Sequence, residues 1–155
     1  MTRSRRKGDT LVRPLIPQSH IFDRAIGAIL GTALGDALGA GYEYDEPDPT
    51  RPIVMRPGLL TNRDAGAWTD DTDMTWGVLE VAARGGNLTS DQALDDVMAN
   101  FLEWFRSGPT DVGQQTREVL RRVDRSGDWR STLRAYADAY PDRAGNGSLM
   151  RTSLS

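Results

Sequence analysis

Three carboxylates, Asp70, Asp71 and Asp73, and three hydroxyls, Thr69, Thr72 and Thr75, fall within one stretch of seven residues. An apolar run, Val78, Leu79, Val81, Ala82 and Ala83, follows at once. The pattern predicts a helix beginning near Asp71 with acids at its N-terminus. Such a cluster supports two chemistries. Thr and Asp oxygens cap free backbone N–H groups, and carboxylates suit the positive end of the helix dipole. One cap and one acid would meet that need. Three acids in four residues also repel one another unless a cation sits among them, and Mg²⁺ and Ca²⁺ take such oxygen ligands. On these residues alone, both readings stand.

Other chemistries fit less well. Asp71-Thr72-Asp73-Met74-Thr75 matches the D-x-D-x-T nucleophile signature of haloacid-dehalogenase-type phosphatases, but that signature follows a buried apolar strand, and here Gly66-Ala67-Trp68-Thr69-Asp70 precedes it. An EF-hand loop fails because Trp76 stands where its turn glycine belongs and Ala82 where its bidentate glutamate belongs. No cysteine is present and His20 is the single histidine, which excludes disulfides, thiolate metal sites and a His-based zinc site. The net charge of −3 gives no reason to expect a nucleic-acid partner.

The elements that must position these residues are read as helices. At 155 residues, with 38% hydrophobic and 26% charged residues, the chain is expected to fold as one globular domain. Residues 1–20, with Arg3, Arg5, Arg6 and Lys7, read as a disordered basic tail, and no signal-peptide core follows. Ile21 to Gly39 has helical apolar spacing, with Gly27, Gly31, Gly35 and Gly39 on one face, where another backbone can approach. Asp23, Arg24 and Asp36 interrupt it, so no membrane span is expected. A long loop follows from Pro47 to Asp64, with one short extended piece at Ile53-Val54-Met55 and the length of a functional lid. The helix after Asp71 is expected to stop at Gly85-Gly86. Ser90-Asp91 caps an amphipathic helix whose core stripe is Ala93, Leu94, Val97, Met98, Phe101, Leu102 and Phe105. Two more helices carry Val119, Leu120 and Val123, then Trp129, Leu133, Tyr136, Ala137 and Tyr140. Leu149-Met150-Arg151 reads as the first turn of another helix, as if the chain were cut off inside an element. No strand alternation or repeat appears, and the class is all-α.

Four ordered motifs resemble one family. Ile26 to Gly39 with Tyr42-Glu43 is similar to the opening helix of the ADP-ribosylglycohydrolases. Trp68 to Thr75 resembles their first metal motif, and Asp111-Val112-Gly113 and Gly145 to Arg151 resemble their later loops. The resemblance implies an all-α bundle in which residues 21–155 form the N-terminal part of a single domain. It implies that Thr69, Asp70 and Asp71 supply half the ligands of a pair of Mg²⁺ or Mn²⁺ ions. Glu43 takes the place of a glutamate that positions water or substrate, so Glu43 and Asp71 are the implied catalytic residues. Asp111 and Gly113 lie where the ribose and departing side chain would be, and Asn146, Gly147 and Ser148 where the ADP-ribose is held. Asp36 is expected to bond within or between helices, and Asp73 to cap or to support the ligands.

Members of that family are about twice as long and carry a second Asp-x-Asp-Thr motif, which this chain lacks. At most one weak ion site is therefore expected here, and the glycine face of the first helix should lie open. The resemblance implies a cytoplasmic Mg²⁺-dependent hydrolase acting on an ADP-ribosyl substrate, impaired in this short chain. The alternative is a non-catalytic relative that binds ADP-ribose or a partner protein.

Overall fold

The computed structural model describes residues 18–46, 48–58, 63–143 and 145–154. In chain order these form α1 (Gln18–Gly39), α2 (Asp70–Ala83), α3 (Asp91–Arg106), α4 (Gln114–Ser126), α5 (Trp129–Ala139) and a 3₁₀ segment (Asn146–Leu154). There is no strand among the described residues, and the class is all-α. Helix α1 begins earlier than the expected Ile21, and residues 1–17 of the expected tail lie outside the described residues. No helix among the described residues is long and apolar enough to cross a membrane.

Local signals set the ends. Thr69, in an extended conformation, caps α2 by accepting from the Asp71 N–H, and Gly85 ends the helix with a left-handed φ of 83°. The Ser90 hydroxyl accepts from the Ala93 N–H to start α3. Gly127, at φ 70°, closes α4, and Asp128 caps α5 through the Ser131 N–H. The C-terminal stretch expected to open an α-helix is instead a 3₁₀ segment packed on α2, where the Thr75 hydroxyl, which donates to the Asp71 carbonyl at 2.7 Å, also lies 3.2 Å from the Met150 carbonyl.

The core lies between α2, α3 and α4. Met74, Phe101 and Leu120 are buried at its centre, with Val78, Val97, Met98, Leu102, Phe105 and Met150 packed around them. Gly77 lets α3 approach α2, because a Cβ there would stand 3.2 Å from two carbons of the Phe101 ring. The α3 stripe is the expected one except for Leu94, which is exposed.

Helix α1 joins this core through one carboxylate. Asp36 Oδ2 accepts from the Thr69 N–H at 2.9 Å, the Thr72 N–H at 3.0 Å and the Thr72 hydroxyl at 2.5 Å, while Oδ1 accepts the Thr69 hydroxyl at 2.8 Å. A side chain of α1 thus caps the N-terminus of α2, and Thr69 and Thr72 are buried in doing so. This is the interhelical role expected of Asp36. The outer face of α1 is open among the described residues: Phe22, Leu30 and Leu34 are exposed, and a Cβ on Gly27, Gly31, Gly35 or Gly39 would meet none of their atoms within 4 Å.

The segment after α1 is held by side chains rather than by strand pairing. The Tyr42 hydroxyl donates to the Val54 carbonyl and accepts from the Val54 N–H, both at 2.9 Å. The extended piece at Ile53 to Met55 is thereby pinned without a strand partner. The Arg56 guanidinium lies 3.9 Å from the centre of the Tyr42 ring and pairs with Asp45. Gly41 is required here, since a Cβ would fall 2.5 Å from the Arg56 carbonyl oxygen.

Replacing Asp36 with Ala leaves two buried hydroxyls and two helix N–H groups without their acceptor. The expected loss of unfolding free energy is about 2–4 kcal/mol, measured by urea unfolding. A loss below about 0.5 kcal/mol, the size of an ordinary surface change, would show that water replaces this joint.

Candidate functional site

The first turn of α2 carries Asp70, Asp71 and Asp73, and each meets a different environment. Asp73 Oδ1 accepts from the Trp68 indole N–H and Oδ2 from the Trp104 indole N–H, both at 2.9 Å. It therefore anchors two tryptophans instead of capping the helix. Asp70 Oδ2 accepts from the Gly113 N–H at 3.2 Å. Gly113 is the N-cap of α4, so this bond ties the Asp111 loop to the start of α2. The Asp71 carboxylate accepts no hydrogen bond among the described residues. Burial first, and then the charges of Asp36, Asp70 and Glu43, hold its carboxyl above the usual carboxylate range, while Arg151 acts the other way.

Glu43 and Asp111 are brought together by a residue the sequence reading did not single out. Arg63 Nη1 donates to Glu43 Oε2 at 3.0 Å, and Nη2 pairs with Asp111 Oδ2. The Arg63 side chain is only 11% exposed, against 37% for Glu43 and 32% for Asp111. Nothing local in the sequence marks Arg63, because its partners lie 20 and 48 residues away.

The Gly145 to Ser148 loop packs on the first turn of α4. The Gly145 N–H donates to Gln115 Oε1 at 2.9 Å, and a Cβ on Gly147 would stand 3.1 Å from Thr116 Oγ1. Gly147 and Ser148 line a cavity of about 390 Å³ with Gln115, Thr116 and Arg151. The side chain of Asn146 lies outside what the structure describes. Arg151 faces both parts of the site. Its Nη1 lies 3.2 Å from Met74 Sδ, and burial lowers its pKa while Asp70 and Asp71 raise it. Arg151 ends the last of the four motifs, which is the signal by which it could have been found.

The chain's hard donors are thus the Thr69 hydroxyl and the Asp70 and Asp71 carboxylates. The Thr69 hydroxyl gives its hydrogen to Asp36 and accepts from Asp71 N–H, which leaves one oxygen lone pair. Asp70 has one oxygen engaged by Gly113. No group of three His, Cys, Asp or Glu side chains that could hold an ion forms among the described residues. The donor chemistry fits a hard divalent cation, with two carboxylates, one hydroxyl and a local excess of negative charge around Asp71.

Comparison with known proteins places these features in context. A family model described as ADP-ribosylglycohydrolase matches residues 17–154. ADP-ribosyl-[dinitrogen reductase] glycohydrolase of Rhodospirillum rubrum is 35% identical over 141 residues, covering 84% of this chain and 43% of that protein. ADP-ribosylarginine hydrolase Tri1 of Serratia proteamaculans (strain 568) is 31% identical over 145 residues, covering 88% of this chain and 37% of that protein. A solved structure described as an ADP-ribosylglycohydrolase-related protein complex superposes with a TM-score of 0.58 at 34% identity, covering 85% of this chain and 41% of that one. The chain spans about two-fifths of the length of the curated relatives it matches.

The environment of Asp71 fixes a sign for pH dependence. Its folded-state pKa lies above the unfolded value, so the folded state keeps its proton to higher pH. Its contribution to stability is present below the ordinary carboxylate pKa and is lost as pH rises through the raised folded value. In metal-free protein, Asp71→Asn should remove this loss. The urea-unfolding free energy of the variant minus that of the wild type should rise with pH across that window. A flat difference would show that Asp71 does not sense the surrounding charges.

Proposed function

The chain belongs to the ADP-ribosylglycohydrolase family, and we propose that it carries the N-terminal part of a hydrolytic site that releases ADP-ribose from a modified protein side chain. The observation that carries this reading is the Asp71 carboxylate, raised in pKa by burial and by Asp36, Asp70 and Glu43, on the same turn as Thr69 and Asp70. A divalent cation would offset the negative charge of that arrangement. In this proposal Thr69, Asp70 and Asp71 hold Mg²⁺ or Mn²⁺. When bound, the ion would supply charge neutralisation and polarise a ribose hydroxyl or a water.

The Gly145 to Ser148 loop and the cavity beneath it receive the ADP-ribose, with the Arg151 guanidinium available to its phosphates. Asp111 stands beside the ribose and departing side chain, with its loop fixed by the Gly113 bond to Asp70. Glu43 orients the attacking water and accepts its proton. The water oxygen bonds to the anomeric carbon as the glycosidic bond breaks, the departing side-chain atom takes up a proton from solvent, and Glu43 returns its proton to solvent. The names of the relatives from Rhodospirillum rubrum and Serratia proteamaculans, which specify dinitrogen reductase and ADP-ribosylarginine, support a modified protein as the substrate class.

The alternative is ADP-ribose binding without turnover. Calorimetric titration of ADP-ribose with and without Mg²⁺, followed by a product assay, separates the two. Asp70→Asn and Asp71→Asn should each weaken Mg²⁺ binding by about tenfold or more, because each removes a ligand charge. Asp73→Asn, whose oxygens face two indoles, should change it by less than about threefold. Unchanged Mg²⁺ affinity in both of the first two variants would sink the proposed ion site.

A further inference from the structure

We infer that the cavity between the start of α2 and the second half of α3 is a binding site for a small quaternary ammonium compound. Its volume is about 400 Å³, and Trp68, Trp76 and Trp104 line it together with Asp73, Glu80 and Glu103. A cavity of that size suits a small-molecule ligand. It uses none of the residues assigned above to the hydrolytic site. On α2, Asp73, Trp76 and Glu80 follow one helical stripe, on the side away from Met74 and Val78 in the core.

The first support is what the three indoles have left to offer. Trp68 and Trp104 converge on one carboxylate, each donating its N–H to an Asp73 oxygen at 2.9 Å. Trp76 donates its N–H to Glu80 Oε1 at 3.1 Å. With the N–H groups committed, the rings present carbon and π surface to the cavity. The face of tryptophan attracts a cation more strongly than that of any other aromatic side chain. At Trp129 the chain fills this role itself, with the Arg130 guanidinium 4.2 Å from the ring centre. Among the described residues no arginine stacks on Trp68, Trp76 or Trp104. Trp68 and Trp76 are exposed, so the rings are reachable from solvent.

The second support is the charge of the lining and the way it is committed. Three carboxylates and no basic side chain line the cavity among the described residues. Both Asp73 oxygens hold indoles, and Glu80 holds Trp76 and pairs with Arg84 at 3.6 Å. The exposed Glu103 carboxylate has no partner among the described residues. The cavity is therefore negative but poor in free acceptors. A protonated primary amine would give up hydrogen bonds to water that these acids cannot replace. A quaternary ammonium has no N–H to satisfy. Its methyl groups can pack on the indoles while its charge meets the acids.

The test is calorimetric titration of the full 155-residue chain with choline, in EDTA and without ADP-ribose. Wild type should bind with a Kd of about 1 mM or tighter. Two comparison ligands should each bind at least about tenfold more weakly: the neutral isostere with a tert-butyl group in place of the trimethylammonium, and ethanolamine, the unmethylated amine. Trp76→Ala should weaken choline binding by about tenfold, and Glu103→Gln by about threefold. Glu103→Gln serves if Trp76→Ala does not melt cooperatively. No choline binding by the folded wild type would overturn the inference. So would equal affinity for choline and its neutral isostere, or unchanged affinity in whichever of the two variants is folded. A trimethyllysine peptide that binds more than about tenfold tighter than choline would overturn the assignment to a small molecule. The site stands apart from the hydrolase reading: Trp76→Ala should keep its Mg²⁺ affinity, and Asp71→Asn should keep its choline affinity.

Discussion

The carboxylate of Asp36 is the joint on which the rest of the arrangement depends. It reaches from α1 to accept two backbone N–H groups and two hydroxyls at the start of α2. A helix N-terminus has free donors that must be met, and most helices meet them with their own neighbouring side chains. Here a second helix supplies the acceptor. The consequence is geometric: with its hydrogen committed to Asp36, Thr69 has a fixed hydroxyl direction, and α2 is set relative to α1. It is also electrostatic. A fourth carboxylate is drawn to a turn that already carries three, which the partial positive charge of one helix end does not offset by itself.

The chain handles this excess of negative charge differently at each position. Asp73 is satisfied by two indole N–H groups and Asp70 by the Gly113 N–H, while Glu43 and Asp111 share Arg63. Arg151, partly desolvated against Met74 and the Phe101 ring, offsets Asp70 and Asp71 without a direct ion pair. Asp71 keeps the least compensation, and its raised pKa follows from that. Such an uncompensated acid costs stability, and acids perturbed in this way cluster at functional sites.

The stability that carries this cost comes from elsewhere. Met74, Phe101 and Leu120 bring α2, α3 and α4 into one core, and the 3₁₀ segment covers α2 through the Thr75 to Met150 contact. Helix α1 adds Ala37 to the interior, with Ala40 buried just after its end, but leaves Phe22, Leu30 and Leu34 exposed. Each interior glycine of α1 costs about 1 kcal/mol relative to alanine, and no close neighbour among the described residues offsets that cost. The joint at Asp36 is therefore a larger part of what holds α1 in place than its apolar face is.

The sequence by itself determined the elements and the cluster of oxygen-bearing side chains at the start of α2. Helical spacing, Ser and Asp caps, and glycine stops are local, so α2 to α5 fall where the pattern puts them, and four ordered motifs pointed to the family. The Thr69, Asp70 and Asp71 oxygens are also local, because oxygen-bearing residues on one turn can be read from spacing alone; a ligand role for them was what the family resemblance implied. The tertiary structure decided how each acid is used. Nothing near Asp73 in the chain predicts the Trp104 indole 31 residues away, and nothing near Arg63 predicts Glu43 and Asp111. The 3₁₀ form of the last segment, the exposure of Leu94 and the strandless pinning of Val54 by Tyr42 were likewise set by packing. The physical reason is the same in each case. Backbone propensity and capping act over a few residues, whereas the partner of a charge is whatever the folded chain brings within hydrogen-bond distance.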